Sequence, residues 1–479
     1  MSDLPAAKSW REECGVFGAV GVPRAAELTA LGLHALQHRG QEATGVVACG
    51  DDGAFQVRKG IGLVADVYRH AGLAQLTGQM AIGHNRYSTS GGLTLENTQP
   101  LRVVYRGGEL ALGHNGNLTN ARELRQGLEE SGSIFQTTLD SEVFLHLVAL
   151  SQLDSVEDAL AEAARQVRGA YSLVVLTRES VIALRDPHGF RPLCLGRLGD
   201  GYVVASETCA LDLVGADFLR EIQPGEMVTI DPQGVRSRQV LPSAQPLQHC
   251  VFEHIYFSRP DSRVFGSGVD RVRRRLGHQL AREHPADADL VLSVPDSSNS
   301  IALGYSEESG LRYELGLIRN HYVGRTFIQP LQAGRDFGVR VKFNPVREVL
   351  EGRRVVVVDD SIVRGTTSRK LVRLLKRAGA REVHFRVGSP PVTHPCFYGI
   401  DTPSRRELIG ALKSVEEIRD YLGVESLGYL SLEGMLSCEA EPRNFCRACF
   451  TGQYPVPVDP TTTKLSLENL RRSPSGATG

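Results

Sequence analysis

The residues most able to do chemistry stand close together in Arg353-Arg354-Val355-Val356-Val357-Val358-Asp359-Asp360-Ser361-Ile362-Val363-Arg364-Gly365-Thr366-Thr367. Four successive valines read as a strand buried on both faces. Two carboxylates follow where that strand should end. A short Gly- and hydroxyl-rich loop then leads into a helical pattern from Ser368 to Ala378. In an open α/β sheet, ligands bind outside the carboxyl ends of the strands. Backbone N–H groups leading into a helix N-terminus suit a phosphate. Paired aspartates suit ribose hydroxyls or a hydrated Mg²⁺, a hard ion with oxygen ligands. The combination describes a phosphorylated sugar. The plainer alternative is a buried strand and a capped turn, with Asp359 and Asp360 as solvated cap residues.

A second set of polar residues lies far upstream. Cys14 occurs in Cys14-Gly15-Val16-Phe17-Gly18 and, taken alone, reads as a strand cysteine packed as a small hydrophobe. Leu36-Gln37-His38-Arg39-Gly40-Gln41-Glu42 is polar and punctuated by glycine. Gly83-His84-Asn85-Arg86-Tyr87-Ser88-Thr89 and Gly113-His114-Asn115-Gly116-Asn117 each put polar side chains in a turn after a short apolar strand. Leu139-Asp140-Ser141 opens an apolar-periodic helix. Near the other end, Cys446-Arg447-Ala448-Cys449 is a Cys-x-x-Cys, which alone could be a zinc site, a redox dithiol or nothing.

The elements that must position these groups fall into two blocks. Strands and tight turns fill the first half. A polar, proline-punctuated stretch near 235–248 separates it from a βα alternation. A helix is expected near Val272 to Glu283, a strand over Asp289–Val294 ending at Pro295-Asp296-Ser297-Ser298, and a helix near Ile301. A chain of 479 residues allows about three domains, or two large ones. The net charge of −1 gives no general attraction to nucleic acid or to an anionic membrane. No apolar run reaches the ~18 residues of a membrane span. The first thirteen residues lack the apolar core of a secretory signal. We therefore expect a cytoplasmic protein whose nine cysteines are catalytic, metal-binding or simply buried.

The first-half segments, read in order, resemble the N-terminal-nucleophile glutamine amidotransferase domain, which hydrolyses glutamine to glutamate and ammonia. The resemblance runs from Cys14 to about Leu247 and implies an αββα sandwich of antiparallel sheets. It implies Cys14 as nucleophile, Asn115 and the N–H of Gly116 as oxyanion hole, Arg86 for the glutamine α-carboxylate and Asp140 for its α-ammonium. Such domains begin at the cysteine, so residues 1–13 are expected to be a propeptide cleaved before Cys14. A freed α-amine can act as base for the thiol; an amide cannot. Cys49, Cys194 and Cys209 match nothing functional.

The Asp-Asp stretch resembles the phosphoribosyl diphosphate (PRPP) loop of type I phosphoribosyltransferases. From Cys250 to about Gly452 the chain resembles the glutamine PRPP amidotransferase family, in its iron–sulfur, propeptide-containing branch. That resemblance implies a phosphoribosyltransferase α/β domain over 248–455 after a glutaminase domain over 14–247, and a mobile tail over 456–479 with a short helical piece near Leu465 to Arg471. Asp359, Asp360, Ser361, Arg364, Gly365, Thr366 and Thr367 would hold PRPP. A lid would add Tyr322, Arg325 and Thr326, with Lys342 further on. Asp359, Asp360 and Ser297 would hold one Mg²⁺ per subunit. Cys250, Cys396, Cys446 and Cys449 would hold one [4Fe–4S] cluster per subunit, although four thiolates suit zinc as well; Cys438 matches no ligand. The activity implied is transfer of glutamine-derived ammonia to C1 of PRPP, giving 5-phosphoribosylamine, glutamate and pyrophosphate at the opening of purine biosynthesis. Partners implied are glutamine, PRPP, inhibitory purine nucleotides and further copies of the chain in a homotetramer. Two alternatives remain at this point. Glucosamine-6-phosphate synthase shares the glutaminase domain but needs sugar isomerase repeats. A PRPP-sensing regulator would not need Cys14, Arg86, Asn115 or Asp140.

Overall fold

The computed structural model describes residues 14–69, 72–87, 92–320, 342–402, 404–459 and 467. The propeptide expected over 1–13 and the lid residues Tyr322, Arg325 and Thr326 lie outside these residues.

The first half is two antiparallel sheets packed face to face. One has seven strands, in spatial order Asp217–Glu221, Cys194–Leu198, Gly201–Ala205, Gly15–Val20, Met80–Arg86, Ala43–Cys49 and Phe55–Ile61. The other has six: Gly234–Gln239, Glu226–Asp231, Val181–Arg185, Gly169–Leu176, Gly108–Leu118 and Leu101–Tyr105. Alternation along the strands decides which side chains meet. Val16, Val47 and Ile82 of the first sheet pack against Ala111, Val174 and Val228 of the second. The opposite face of the first sheet is covered by the helix Ala25–Ala35, with Phe17 and Val46 against Leu33. The opposite face of the second is covered by Glu142–Leu150 and Val156–Gln166, with Leu173 and Leu184 among Phe144 and Leu160. The layers are therefore αββα, as the resemblance implied.

The second half contains a five-stranded sheet ordered Arg312–Tyr313, Leu290–Ser293, Arg354–Asp359, Glu382–Val387, Ser426–Tyr429, with every pair parallel. The valine run is its central strand. Val356 and Val358 join Leu276 and Ile301 on one face, and Val355 and Val357 join Leu371 and Ile418 on the other. All four are fully buried, which explains why the run does not alternate. The helix after it spans Thr366–Arg377, two residues earlier than the periodicity from Ser368 suggests, because Gly365 turns the chain at φ 70° and the threonines continue straight into the first helical turn.

The start and end of this half are joined by a short parallel ladder, His249–Cys250 with Phe445–Cys446, which puts Cys250 directly across from Cys446. The packed chain also runs past Pro455. Val456 is buried, and its N–H and C=O both bond the Tyr398 hydroxyl, so the boundary expected at 456 does not hold there.

Val357→Ala removes two methyl-sized groups from a closed layer and should cost about 2 kcal/mol in chemical unfolding. Val104, 70% exposed on an edge strand, is the control. Its alanine variant should stay within about 0.5 kcal/mol of the parent. Equal losses would mean that the two-sided burial is not what stabilises the central strand.

Candidate active sites and a cysteine-lined cavity

Cys14 leads directly into the strand Gly15–Val20, and the register Gly15 to Asn85 sets it beside the end of Met80–Arg86. It is buried, with Sγ 3.4 Å from the carbonyl oxygen of Tyr87. Arg86, also buried, donates from Nη1 to the carbonyl of Gly92 at 3.1 Å. That carbonyl accepts a second bond from Asn97 Nδ2 at 2.9 Å. Asn97 in turn exchanges hydrogen bonds with Thr138, two residues before Asp140. One turn thus ties together the two groups expected to grip an amino acid at its α-carboxylate and α-ammonium.

Asp140 is fixed by backbone donors, accepting from Leu118 N–H and Ser141 N–H, each at 2.9 Å. Leu118 ends the strand that carries Asn115 and Gly116. Asn115 is buried, and neither its Oδ1 nor its Nδ2 has a hydrogen-bond partner among the described residues. Leaving such a group unmet costs about 1–3 kcal/mol. Gly116 has φ 149°, and a Cβ there would sit 2.0 Å from the carbonyl oxygen of Ala170, so only glycine fits. His84, two residues before Arg86, is not placed as a base. Its Nε2 lies 3.0 Å from the carbonyl oxygen of His114, and burial lowers its pKa to about 3.

The second site lies at the carboxyl end of the valine strand. Asp360 is buried; its Oδ1 accepts from Ser297 Oγ at 2.6 Å and its Oδ2 from Ser361 Oγ at 2.7 Å. Asp359 is half-buried and accepts from Ser298 Oγ at 3.3 Å and from the Asp360 N–H at 3.1 Å. Burial raises both carboxyls, and the Asp360 charge pushes Asp359 well above the ordinary carboxylate range. Lys342 and Arg273 act electrostatically in the opposite direction, on Asp359 and Asp360 respectively. Gly365, Thr366 and Thr367 form the N-terminal end of the twelve-residue helix Thr366–Arg377. Arg364 pairs with Glu407 at 2.7 Å, a partner that the sequence did not suggest.

Cys250, Cys396, Cys446 and Cys449 line one cavity of about 20 Å³, walled by Phe190, Phe252, Tyr398 and Ile400. As placed, no group of three or more His, Cys, Asp or Glu among the described residues could hold a metal ion. The donor set is nevertheless all sulfur, which suits a soft metal group. Burial pushes the Cys446 thiol up to about 12 and raises Cys449 well above the usual thiol range. Cys438, buried nearby, does not line the cavity; its Sγ bonds the carbonyl of Gly434. Cys49, Cys194 and Cys209 are buried in the first half.

The glutamine amidotransferase domain family matches residues 84–213. Amidophosphoribosyltransferase 2, chloroplastic, of Arabidopsis thaliana is 53% identical over 457 residues, which is 95% of this chain and 81% of that one. Amidophosphoribosyltransferase of Bacillus subtilis is 50% identical over 94% of this chain and 96% of its own. The chain belongs to the amidophosphoribosyltransferase family. The solved glutamine PRPP amidotransferase from B. subtilis, complexed with ADP and GMP, superposes with a TM-score of 0.88 at 49% identity, over 94% of this chain and 99% of that one.

Within the amidophosphoribosyltransferase fold, several residues touch the Cys14 site that sequence reading did not single out. Arg39 donates from Nε to the carbonyl of Cys14 at 3.1 Å. Its Nη1 meets Glu207 at 2.5 Å, and its two terminal nitrogens meet Glu253 at 2.9 and 2.7 Å. Arg191 reaches Glu253 at 3.5 Å and donates twice to the Tyr398 carbonyl. The polar run around Arg39 was visible, but its partners lie 168 and 214 residues away. The segment Cys396–Asp401 runs from the cysteine cavity to the strands of the first half. Asn117 Nδ2 donates to the Phe397 carbonyl, Tyr87 donates its hydroxyl proton to Asp401, and a Cβ on Gly399 would lie 3.2 Å from Gly116.

The raised acidic pair predicts a stability trade. Asp359→Asn should raise the melting temperature of ligand-free protein at pH 7.5, because the native state there favours a neutral group. A raised native pKa costs stability above the unfolded pKa of about 3.9, and the cost vanishes below it. The gain should therefore shrink as pH falls towards about 4. Calorimetry showing no gain at pH 7.5, or one that grows on acidification, would contradict the assignment.

Proposed function

We propose that this member of the amidophosphoribosyltransferase family takes ammonia from glutamine at Cys14 and passes it to C1 of PRPP beside Asp359 and Asp360. Glutamine and water give glutamate and ammonia. Ammonia and PRPP then give 5-phosphoribosylamine and pyrophosphate, a step of purine biosynthesis. The observation that carries the reading is the buried Asn115 amide, both of whose polar atoms are unmet among the described residues, on the strand whose next residue must be glycine. A buried donor without a ground-state partner suits negative charge that develops only during attack.

In this mechanism Arg86 and Asp140 hold the α-groups of glutamine, and the Cys14 thiolate adds to the side-chain carboxamide carbon. Asn115 and the Gly116 N–H receive the oxyanion. Ammonia leaves after protonation, and water releases glutamate from the thioester. The base is the α-amine of Cys14, exposed by removal of residues 1–13. At the second site the N–H groups of Gly365, Thr366 and Thr367 hold the 5′-phosphate, with Ser361 and Arg364 alongside. Asp359 and Asp360 take the ribose hydroxyls. Tyr322, Arg325, Thr326 and Lys342 close over the departing pyrophosphate. Asp359, Asp360 and Ser297 would hold one Mg²⁺, which when bound neutralises diphosphate charge. Cys250, Cys396, Cys446 and Cys449 would hold one [4Fe–4S] cluster, which supplies a structural tie and oxygen sensitivity. Two domains, 14–247 and 248–455, carry the two reactions. Purine nucleotides as feedback inhibitors are supported by the ADP and GMP of the Bacillus relative. A homotetramer and a cytoplasmic location complete the reading.

The test is glutamate and pyrophosphate release by anaerobically purified protein, with glutamine, Mg²⁺ and PRPP each omitted in turn. One-to-one release that needs PRPP is the expected result. Asn115→Ala should lower glutamine-dependent turnover by about 10²- to 10³-fold while ammonium-dependent turnover stays. Glutamate without pyrophosphate would break the second half of the reading. The same preparation should contain about four irons per chain and a brown chromophore; zinc instead of iron would replace the cluster.

A further inference from the structure

We propose that Glu253, from the phosphoribosyl half, is a positioning residue for the glutaminase nucleophile. It orients Arg39, and Arg39 holds the main-chain carbonyl of Cys14. The inference rests on the reading of Cys14 as nucleophile.

The geometry is a chain of short, water-excluded contacts. Arg39 uses one edge of its guanidinium on the Cys14 carbonyl, at 3.1 Å from Nε. Its terminal nitrogens meet the two oxygens of Glu253 separately, Nη1 to Oε2 at 2.9 Å and Nη2 to Oε1 at 2.7 Å. A two-pronged bond of this kind fixes the plane of the guanidinium, not merely its distance. Both side chains are 0% exposed. Glu253 is fixed in turn, its Oε2 accepting from Ser258 Oγ at 2.6 Å. It begins the wide helical turn Glu253–Phe257, closed by the Ser258 N–H on the Glu253 carbonyl five residues back. Such turns are uncommon and cluster at functional sites.

The need for this hold follows from the chain's own chemistry. Once residues 1–13 are gone, Cys14 is a terminus, and termini fray unless tied down. Its Sγ and α-amine must both stay within reach of a substrate carboxamide. The carbonyl is the one polar main-chain group of Cys14 that remains available to anchor it without engaging the base. The same wide turn is also held from the PRPP side. Arg273 donates to the carbonyls of His254 and Ser258 at 2.7 and 2.8 Å, and its charge acts on Asp360. One buried path of contacts therefore runs from the Cys14 carbonyl through Arg39, Glu253 and Ser258 to Arg273.

The test uses full-length, cluster-loaded protein with a confirmed Cys14 terminus. Glu253→Gln keeps the volume but breaks the two-pronged bond. Glutamine-dependent kcat should fall about 10²-fold, the scale of a small misplacement of a reacting group. KM for glutamine should hold, since Arg86 and Asp140 are untouched, and iodoacetamide alkylation of Cys14 should slow. Ammonium-dependent turnover with PRPP reports that the protein is folded and should be retained. Glu253→Asp should recover part of the lost kcat. Should Glu253→Gln not fold, Arg39→Lys keeps the charge without the fork and should show the same split. Unchanged glutamine-dependent kcat, or equal losses with glutamine and with ammonium, would overturn the proposal. Cys14→Ala separates the two ideas. If it keeps glutamine-dependent turnover, the nucleophile reading fails; if it loses it while Glu253→Gln is normal, only the positioning role fails.

Discussion

Two guanidinium groups and two carboxylates are sealed from water where the halves of the chain meet. Arg39, Arg191, Glu207 and Glu253 each have side chains that are 0% exposed. Removing an ion from water costs several kcal/mol even after relaxation, and the attraction within a group offsets this only if the geometry is good. Here the charges match in number, and hydrogen bonds meet the remaining lone pairs. Burial alone would raise the Glu207 carboxyl, but His38 and Arg39 hold it well below the usual range. Its second oxygen takes the Ser262 hydroxyl and the Arg259 N–H. Because Glu253, Arg259 and Ser262 come from the second half, neither half can satisfy the group alone. Docking of the halves is thus a condition of burying the charges, and the Cys14 carbonyl is bound into the same group.

The same group also holds the segment Cys396–Asp401, which touches both halves. Arg191, already oriented by Glu253, donates twice to the Tyr398 carbonyl. The Tyr398 ring stacks on Phe190 with centroids 4.4 Å apart, and its N–H donates to Cys396 Sγ. A segment that lines the cysteine cavity therefore presses its glycine against Gly116. The ladder between Cys250 and Cys446 holds the opposite wall. For a reaction that hands ammonia from one site to another, a fixed junction has a chemical rationale: free in neutral water, ammonia takes a proton and loses the lone pair that must attack.

The residues carrying local signals were legible in the chain. The valine run and the Asp-Asp end each depend on neighbours a few positions away. Periodicity and turn chemistry report such neighbours directly. The turn expected over Gly113–Asn117, by contrast, is part of the strand Gly108–Leu118, and His84 to Arg86 end the strand Met80–Arg86. The junction was not legible. Arg39 sits in a stretch that reads as a polar turn, and nothing within it says that its partners are Glu207 and Glu253. Val456 shows the same limit on a smaller scale. A Pro- and Thr-rich composition suggests a loose tail, whereas the Tyr398 hydroxyl, 58 residues upstream, ties it into the fold. The early start of the helix at Thr366 has a local cause that periodicity ignores, the left-handed turn at Gly365.

The acidic groups of the two halves are treated in opposite ways, and the contrast separates structure from function. Glu207 is buried but surrounded by His38, Arg39 and hydroxyl and amide donors, so its charge is stabilised. Asp359 and Asp360 are adjacent, and although three serines, Lys342 and Arg273 act on them, burial and mutual repulsion leave both carboxyls raised. A protein that needed only stability would not place two like charges at the end of its central strand. The pair is tolerated because the valine strand and its flanking helices fix the backbone beneath it. What would relieve the repulsion is positive charge or hydroxyl donors arriving from outside, which is what the proposed magnesium-bound sugar diphosphate would bring.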